Sequence, residues 1–150
     1  MINENTSLSK RRLKMWIRLL GVTRAAESQL REYLRVTHDT TLPRFDVMAA
    51  LYRRGEAVKM SDLSRMLLVS NGNSTAVVDR LEKDGLVQRL PSDQDRRSIF
   101  VKLTNEGVRQ FEILASDHER EVDQFFGSLD QAAIDALTSS IKRVNLGTRP

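Results

Sequence analysis

Two adjacent arginines stand in a short polar segment whose chemistry suits a polyanion. Asp95, Arg96 and Arg97 lie between two segments of alternating apolar and polar residues, 86–90 and 99–103. Guanidinium groups pair with phosphates, and an arginine on a thin protruding loop fits the negative potential of a narrow minor groove. Asp95 is close enough in sequence to steady one guanidinium. The segment predicts a hairpin with a DNA-contacting tip; the alternative is a solvated turn that prevents edge aggregation.

The segment 71–84 has the side chains of a helix that reads base edges. At 100° per residue, Val77, Val78 and Leu81 share one side, and short polar or basic residues occupy the other. Asparagine pairs with adenine, threonine touches a thymine methyl, and lysine or arginine suits a phosphate. A solvent-exposed polar helix face is the alternative. The predicted DNA-binding residues are Ser61, Asn71, Asn73, Thr75, Ala76, Arg80, Lys83, Asp95, Arg96 and Arg97.

The composition argues against most catalytic and redox chemistry. The 150 residues include no cysteine and two histidines, and no glycine-rich phosphate loop is present. This excludes thiolate nucleophiles and cysteine zinc sites and disfavours a multi-histidine metal sensor, so we expect no enzyme and no cofactor. The net charge is +4, and 18 of the 24 basic residues are arginine, which is typical of a protein with a polyanionic partner; the alternative is a merely solvated basic surface.

Helical periodicity and capping residues define the elements that must position these side chains. The predicted elements, in chain order, are a long helix from Ser9 to about Arg35, a helix from Pro43 to Gly55, a short helix capped by Ser61, a helix at 71–84 ended by Gly85, strands at 86–90 and 99–103, and two helices capped by Thr104 and Asp130. Two short helices joined by a tight turn indicate a helix-turn-helix, and the hairpin after them adds a wing.

The predicted fold is mainly α, with a winged helix-turn-helix and its two-stranded β wing at 43–103. Long helices at 8–36 and 104–146 flank this DNA-binding lobe. The apolar stripes on the flanking helices exceed what one small winged helix can cover. We therefore expect a homodimer held together by these helices.

Two stretches resemble the MarR family of bacterial transcription regulators, and the resemblance covers nearly the whole chain. Residues 95–107, DRRSIFVKLTNEG, are similar to the family's wing-to-helix signature, an acidic-arginine tip and a strand followed by Leu-Thr-x-x-Gly. Residues 77–87, VVDRLEKDGLV, resemble its recognition helix running into the first wing strand. The resemblance implies a ligand-responsive regulator, expected to be a repressor, whose homodimer places two winged helices on a palindromic DNA operator.

Ser74 departs from the family pattern, which usually has a small aliphatic residue there. We expect its hydroxyl to bond back to the carbonyl of Ser70. The absence of cysteine excludes a peroxide-sensing member of the family.

A further resemblance concerns the effector. Residues 13–20, 41–48 and 69–73 are similar to a MarR branch that controls aromatic-acid breakdown, some of whose members sense aryl-CoA thioesters. This implies an aromatic acid or its CoA thioester as effector, held by apolar and cationic side chains. The predicted effector-binding residues are Trp16, Arg18, Leu20, His38, Arg44, Phe45 and Met48. The alternative is that the apolar members of this set are plain core.

The competing function is a winged helix for protein or RNA contact without operator specificity. It predicts an uncharged or apolar outer face at 72–83 and a wing without paired arginines, and the sequence has neither feature. No apolar run approaches the ~20 residues of a membrane span, and no signal peptide is visible, so the chain is expected in the cytoplasm.

Overall fold

Six helices and three strands make up the residues that the computed structural model describes, 7–67 and 73–144. The elements are α1 (Leu8–His38), α2 (Leu42–Arg54), β1 (Val58–Lys59), α3 (Met60–Met66), α4 (Ser74–Lys83), β2 (Val87–Pro91), β3 (Ile99–Leu103), α5 (Asn105–Phe125) and α6 (Gln131–Lys142). The predicted winged-helix architecture, mainly α with long terminal helices, is confirmed.

Local capping chemistry sets most helix ends where the sequence placed them. The hydroxyl of Thr104 accepts a hydrogen bond from the Gly107 amide at 3.0 Å, and the Asp130 carboxylate accepts one from the Ala133 amide at 2.9 Å. Ser61 is the exception, because α3 begins at Met60, two residues earlier than a cap at Ser61 would require, and its N-cap is Lys59. The prediction that Ser61 caps this helix is therefore wrong.

The sheet has three strands, in the order β1-β3-β2, and all its pairs are antiparallel. Val101 of the central strand lies opposite Arg89 on one side and Val58 on the other. The sequence predicted only the β2–β3 hairpin. A two-residue strand has no room for an alternating pattern, so β1 left no periodic signal.

The core lies between α2, α4, the sheet and the first half of α5. Val78 and Leu81 of α4 are fully buried, which confirms the predicted packing side of this helix. Phe45 and Met48 of α2 are buried in the same cluster.

The terminal helices keep their large apolar side chains exposed. On α1, Leu13, Trp16 and Ile17 are each more than half exposed. On α6, where every residue is described, none is buried. Within one chain, these apolar stripes are therefore left uncovered by other elements.

None of the helices in the described ranges is long and apolar enough to span a lipid bilayer.

Helix α4, the wing and α5 meet at Gly85 and Leu86. Gly85 has a left-handed backbone conformation, with φ 76°, which glycine adopts at low cost and most other residues do not. The Leu86 amide donates to the Leu81 carbonyl at 2.9 Å, which closes a Schellman motif. From the far side of the hairpin, the Thr104 amide donates to the Leu86 carbonyl at 3.0 Å, and the Thr104 hydroxyl donates to the Gly85 carbonyl at 2.7 Å.

Gly107, in the first turn of α5, packs directly on this junction. A β-carbon at Gly107 would overlap the Leu86 carbonyl oxygen and lie 3.2 Å from Leu103 Cδ2. The added β-carbon and the carbonyl oxygen are both fixed by the backbone, so no change of side-chain rotamer can relieve the overlap. This position therefore requires glycine.

Gly107→Ala is expected to lower the free energy of unfolding by about 1–3 kcal/mol or more, because the added carbon forces α5 away from Leu86. Thermal unfolding followed by circular dichroism measures the change. Gly21→Ala is the matched control, since a β-carbon there meets nothing within 4 Å and alanine favours the helix. Equal melting temperatures for the two variants would contradict the close contact.

Candidate nucleic-acid interface and effector cleft

The outward side of α4 carries the side chains predicted to contact DNA. Thr75, Ala76, Arg80 and Lys83 are all exposed. The polar face predicted from the helical wheel is therefore free of the protein's own core. Asn71, which was included in the same prediction, lies outside the described residues.

Asn73 caps α4. Its Oδ1 accepts hydrogen bonds from the amides of Thr75 at 3.1 Å and Ala76 at 3.4 Å. Bidentate pairing with adenine needs this oxygen together with the amide nitrogen. The oxygen is already engaged, so the interpretation of Asn73 as an adenine reader requires correction: in this geometry the residue starts the recognition helix.

Ser74 and Ser61 also differ from expectation. The Ser74 hydroxyl is 2.8 Å from that of Ser64 and so links α4 to α3. The predicted partner, Ser70, is outside the described residues. Ser61 is exposed in the first turn of α3, where its side chain is not needed as a cap.

Arg89 on β2 fastens the wing to α4. Its amide donates to Glu82 Oε2 at 2.8 Å, its Nη1 donates to Glu82 Oε1 at 3.2 Å, and its Nη2 pairs with Asp79 and reaches the Thr75 carbonyl at 3.4 Å. The side chain thus spans from the C-terminal half of α4 to its first turn. Its one positive charge also offsets part of the negative charge of Asp79 and Glu82, which would otherwise repel phosphates.

Arg89 is absent from the residues predicted from the sequence to form the site. A signal was available, because Asp79 and Glu82 are spaced i, i+3 on one helix face and a basic residue follows in the next strand. Only the three-dimensional turn at Gly85 brings that strand back along the helix.

The wing tip, residues 92–98, is ordered by Asp95. Its Oδ1 accepts from the Arg97 amide at 2.9 Å, and its Oδ2 accepts from the Ser98 hydroxyl at 3.1 Å. Backbone hydrogen bonding from Arg97, followed by the Ser98 hydroxyl, lowers the pKa of the Asp95 carboxyl.

The prediction that Asp95 steadies the guanidinium of a neighbouring arginine is therefore wrong. Among the described residues, Asp95 forms no ion pair with Arg96 or Arg97, and it binds the Arg97 backbone instead. Both arginines are exposed, as Asp95 is. The carboxylate shapes the turn and leaves both guanidinium groups available.

The predicted effector residues do not form one site within the chain. Trp16 and Arg18 are exposed, and Leu20 is half-buried, on the N-terminal half of α1. A helical rise of 1.5 Å per residue puts Trp16 roughly 33 Å from His38 along the same helix. Within one chain, Trp16, Arg18 and Leu20 therefore line no pocket with the remaining members.

Phe45 belongs to the core. Its ring stacks on that of His118, with centroids 4.4 Å apart, and packs against Phe111 at 5.5 Å. Burial lowers the pKa of His118, which favours the neutral ring in this contact. The alternative interpretation, plain core, holds for Phe45.

His38, Arg44 and Met48 do meet, in a cleft between the start of α2 and α5. This α2–α5 cleft has a volume of about 440 Å³, and its other lining residues include Asp84, Ile113 and Leu114. His38 Nε2 lies 2.8 Å from Asp117 Oδ2 of α5. The cleft thus combines apolar walls with two nitrogen-bearing side chains.

Arg44 links this cleft to the C-terminal end of α4. Its Nη2 donates to Asp84 Oδ2, at the C-terminal end of α4, over 2.7 Å. Its Nε is buried and has no hydrogen-bond acceptor within the described part of the chain. Arg44 also lines a second cavity of about 620 Å³, which includes Arg31 and Arg35 of α1 and Arg80 of α4.

Asp95→Ala is expected to speed hydrogen exchange of the Arg97 amide by about three- to tenfold, because one hydrogen bond is lost. Nuclear magnetic resonance at neutral pH measures this rate. Asp95→Asn, which retains an acceptor oxygen, is the control and should exchange nearly as slowly as wild type. Since the folded pKa of Asp95 is lowered, the ordering is present above the ordinary carboxyl pKa and is lost as pH falls through the lowered value. Identical rates in all three proteins would remove the capping role.

Known proteins match the chain in sequence and in three dimensions. The MarR family profile matches residues 40–99. The HTH-type transcriptional regulator MhqR of Bacillus subtilis is 27% identical over 142 residues, covering 95% of this chain and 97% of MhqR. The uncharacterized HTH-type transcriptional regulator YfiV of the same organism is 34% identical over 112 residues, covering 74% of this chain and 68% of YfiV.

Among solved structures, a mutant of E. coli MarR complexed with operator DNA is similar, with a TM-score of 0.75 and 25% sequence identity. The similarity covers 92% of this chain and 98% of that one. The winged helix, the exposed face of α4 and these matches lead to one conclusion: the chain belongs to the MarR family of winged helix-turn-helix transcriptional regulators.

Proposed function

We propose that the chain is a ligand-responsive repressor that binds a palindromic DNA operator as a homodimer. The observation that carries this proposal is the union of α4 and the wing through Arg89. That contact holds an exposed polar helix face and an exposed arginine tip as one unit. A unit of this kind suits one major groove and the minor groove beside it.

Within this unit, the side chains divide by role. Thr75 and Ala76, at the start of α4, are short enough to let the helix approach base edges. Arg80 and Lys83 contact phosphates, with Ser61 and Asn71 supporting the same register. Arg97 enters the minor groove, and Arg96 binds a phosphate. Asn73 and Asp95 act by holding the helix start and the wing tip in shape.

Thr75→Ala and Lys83→Ala separate base reading from phosphate binding. Thr75→Ala is expected to reduce discrimination at one base pair by about 1–3 kcal/mol, because a methyl contact is lost. Lys83→Ala is expected to weaken all sequences alike and to reduce the salt slope by about one. Fluorescence anisotropy over a salt series, on duplexes selected by the wild-type protein from a random library, measures both effects.

Lys142→Ala, which removes the same charge from α6, is the control and should leave both quantities unchanged. Equal losses on selected and random duplexes for Thr75→Ala would show that α4 does not read bases.

The dimer in this proposal is supported by the uncovered terminal helices. Trp16 and Ile17 on α1 and Ile141 on α6 are each more than half exposed. A monomer would leave a large apolar surface in water, and a second copy is the partner that buries both stripes symmetrically.

Sedimentation velocity at micromolar concentration is expected to give the mass of two chains. Ile141→Glu should shift the protein toward the monomer, because a buried charge opposes association. Ile99→Glu, on the exposed side of the wing, is the control and should remain dimeric. A folded wild-type monomer under these conditions would refute the dimer.

The effector proposed is a small aromatic acid or its CoA thioester, bound in the α2–α5 cleft. Support comes from the apolar walls at Met48, Ile113 and Leu114 and from the cationic side chain of Arg44 beside them. Trp16, Arg18 and Leu20 are assigned to the dimer face instead. In this proposal, effector binding releases operator DNA and thereby relieves repression.

A further inference from the structure

Ser64 and Ser74 join the two helices of the helix-turn-helix through their hydroxyl groups. Their Oγ atoms are 2.8 Å apart, and Ser64 Oγ also donates to the Met60 carbonyl at 3.3 Å. A serine hydroxyl carries a single proton. Because the Ser64 proton goes to the Met60 carbonyl, Ser74 is the donor to Ser64. A chain of hydrogen bonds therefore runs from the first residue of α4 to the first residue of α3.

This bond controls the helix pair in a way that apolar packing does not. Leu63 of α3 and Val78 of α4 are fully buried in one core cluster, but apolar contact is non-directional and leaves a helix free to turn about its axis. A hydrogen bond weakens steeply as its angle departs from linearity. The Ser64–Ser74 bond therefore restricts the rotation of α4 at its N-terminal end.

The other polar contacts of α4 hold this end less tightly. The Gly85 junction lies at the opposite end of the helix, roughly 16 Å away at 1.5 Å per residue. From the wing, Arg89 Nη2 reaches the Thr75 carbonyl only over 3.4 Å. The Ser64–Ser74 separation is close to the usual length of a hydroxyl–hydroxyl hydrogen bond, so this bond is the tighter anchor of the first turn.

Rotation of α4 matters most for Thr75, which follows Ser74 directly and is exposed on the outward side. Side-chain tips lie about 5–6 Å from a helix axis, so a rotation of roughly 10° moves them by about 1 Å. A binding group must be held within about 0.5 Å of its productive position. A small rotation is therefore enough to separate a threonine methyl from a base edge.

We propose that Ser64 and Ser74 are positioning residues whose hydrogen bond sets the rotation of α4 and so places Thr75 against its base edge. The inference rests on the proposed function, and it names the contact that makes base reading precise. Ser74, where the sequence departs from the family pattern, supplies a directional bond in place of an apolar contact. The two serines act through each other and through Thr75, without touching DNA.

The test measures discrimination, the ratio of the Kd for a random duplex to the Kd for a duplex that the wild type selects from a random library. Fluorescence anisotropy gives both constants for Ser64→Ala, Ser74→Ala and the double variant. Ser64→Thr keeps the hydroxyl at an exposed position and is the rescue. Ser139→Ala removes an exposed serine hydroxyl from α6 and is the control. Thermal unfolding of every variant gives its stability.

Each single alanine variant is expected to lose about three- to tenfold in discrimination, the factor that one hydrogen bond contributes. The double variant should lose no more than either single one, because all three lack the same bond. The loss should be concentrated at the base pair where Thr75→Ala reduces discrimination. Random-duplex binding should stay within about twofold of wild type, and Ser64→Thr and Ser139→Ala should keep full discrimination.

Stability separates positioning from a merely structural role. The melting temperature of Ser74→Ala should change little, because the helix propensity of alanine offsets the lost hydrogen bond. A structural role predicts instead a lower melting temperature and equal losses on selected and random duplexes.

The inference is overturned by unchanged discrimination in the single variants, by losses that add in the double variant, or by equal losses on both duplexes. Each of these results leaves the proposed regulator intact as long as the wild type selects a sequence. A wild type that selects none overturns the proposed function, and the positioning role with it, even if the melting temperatures of the three alanine variants still show that the two hydroxyls are coupled.

Discussion

The backbone junction at Gly85 and Leu86 is the constraint on which the rest of the DNA-binding lobe depends. Leu86 connects α4, the wing and α5. Its amide donates to the Leu81 carbonyl in the turn that ends α4, and its carbonyl accepts from the Thr104 amide, just before α5 begins. The left-handed φ of Gly85 makes this reversal of direction accessible. The recognition helix α4, the wing and α5 therefore meet at one fixed point.

Ion pairs hold the carboxylates of α4 and position this helix in the DNA-binding lobe. Asp79 and Glu82 of α4 share the single positive charge of Arg89, and Asp84 pairs with Arg44. Arg80 and Lys83 are exposed on the outward side of α4, where the carboxylate of Asp79 is paired with Arg89. The same ion pairs also position α4, since Arg89 links it to the wing and Arg44 links it to α2.

Local chemistry explains what the sequence could predict. Helix caps at Thr104 and Asp130, the wing hairpin and the buried side of α4 follow from short-range patterns, and all are confirmed. What it missed depends on long-range geometry: β1 pairs with a strand forty residues away, and Arg89 meets α4 only after the chain reverses. Trp16 and His38 share a helix, but its length keeps them apart. Asn73 and Asp95 were assigned to DNA because short polar side chains suit both base contacts and backbone caps.

Hydroxyl-radical footprinting on a selected duplex tests the proposed operator complex, since it reports helix and wing contacts of both subunits at once. We expect two protected half-sites, symmetric about a dyad, with centres about one helical turn (roughly 34 Å) or a multiple of it apart. Each half-site should show added protection in the flanking minor groove, where Arg97 is proposed to lie. A single asymmetric protected stretch, or half-sites without minor-groove protection, would contradict the claim that two copies of the α4–wing unit bind the operator together.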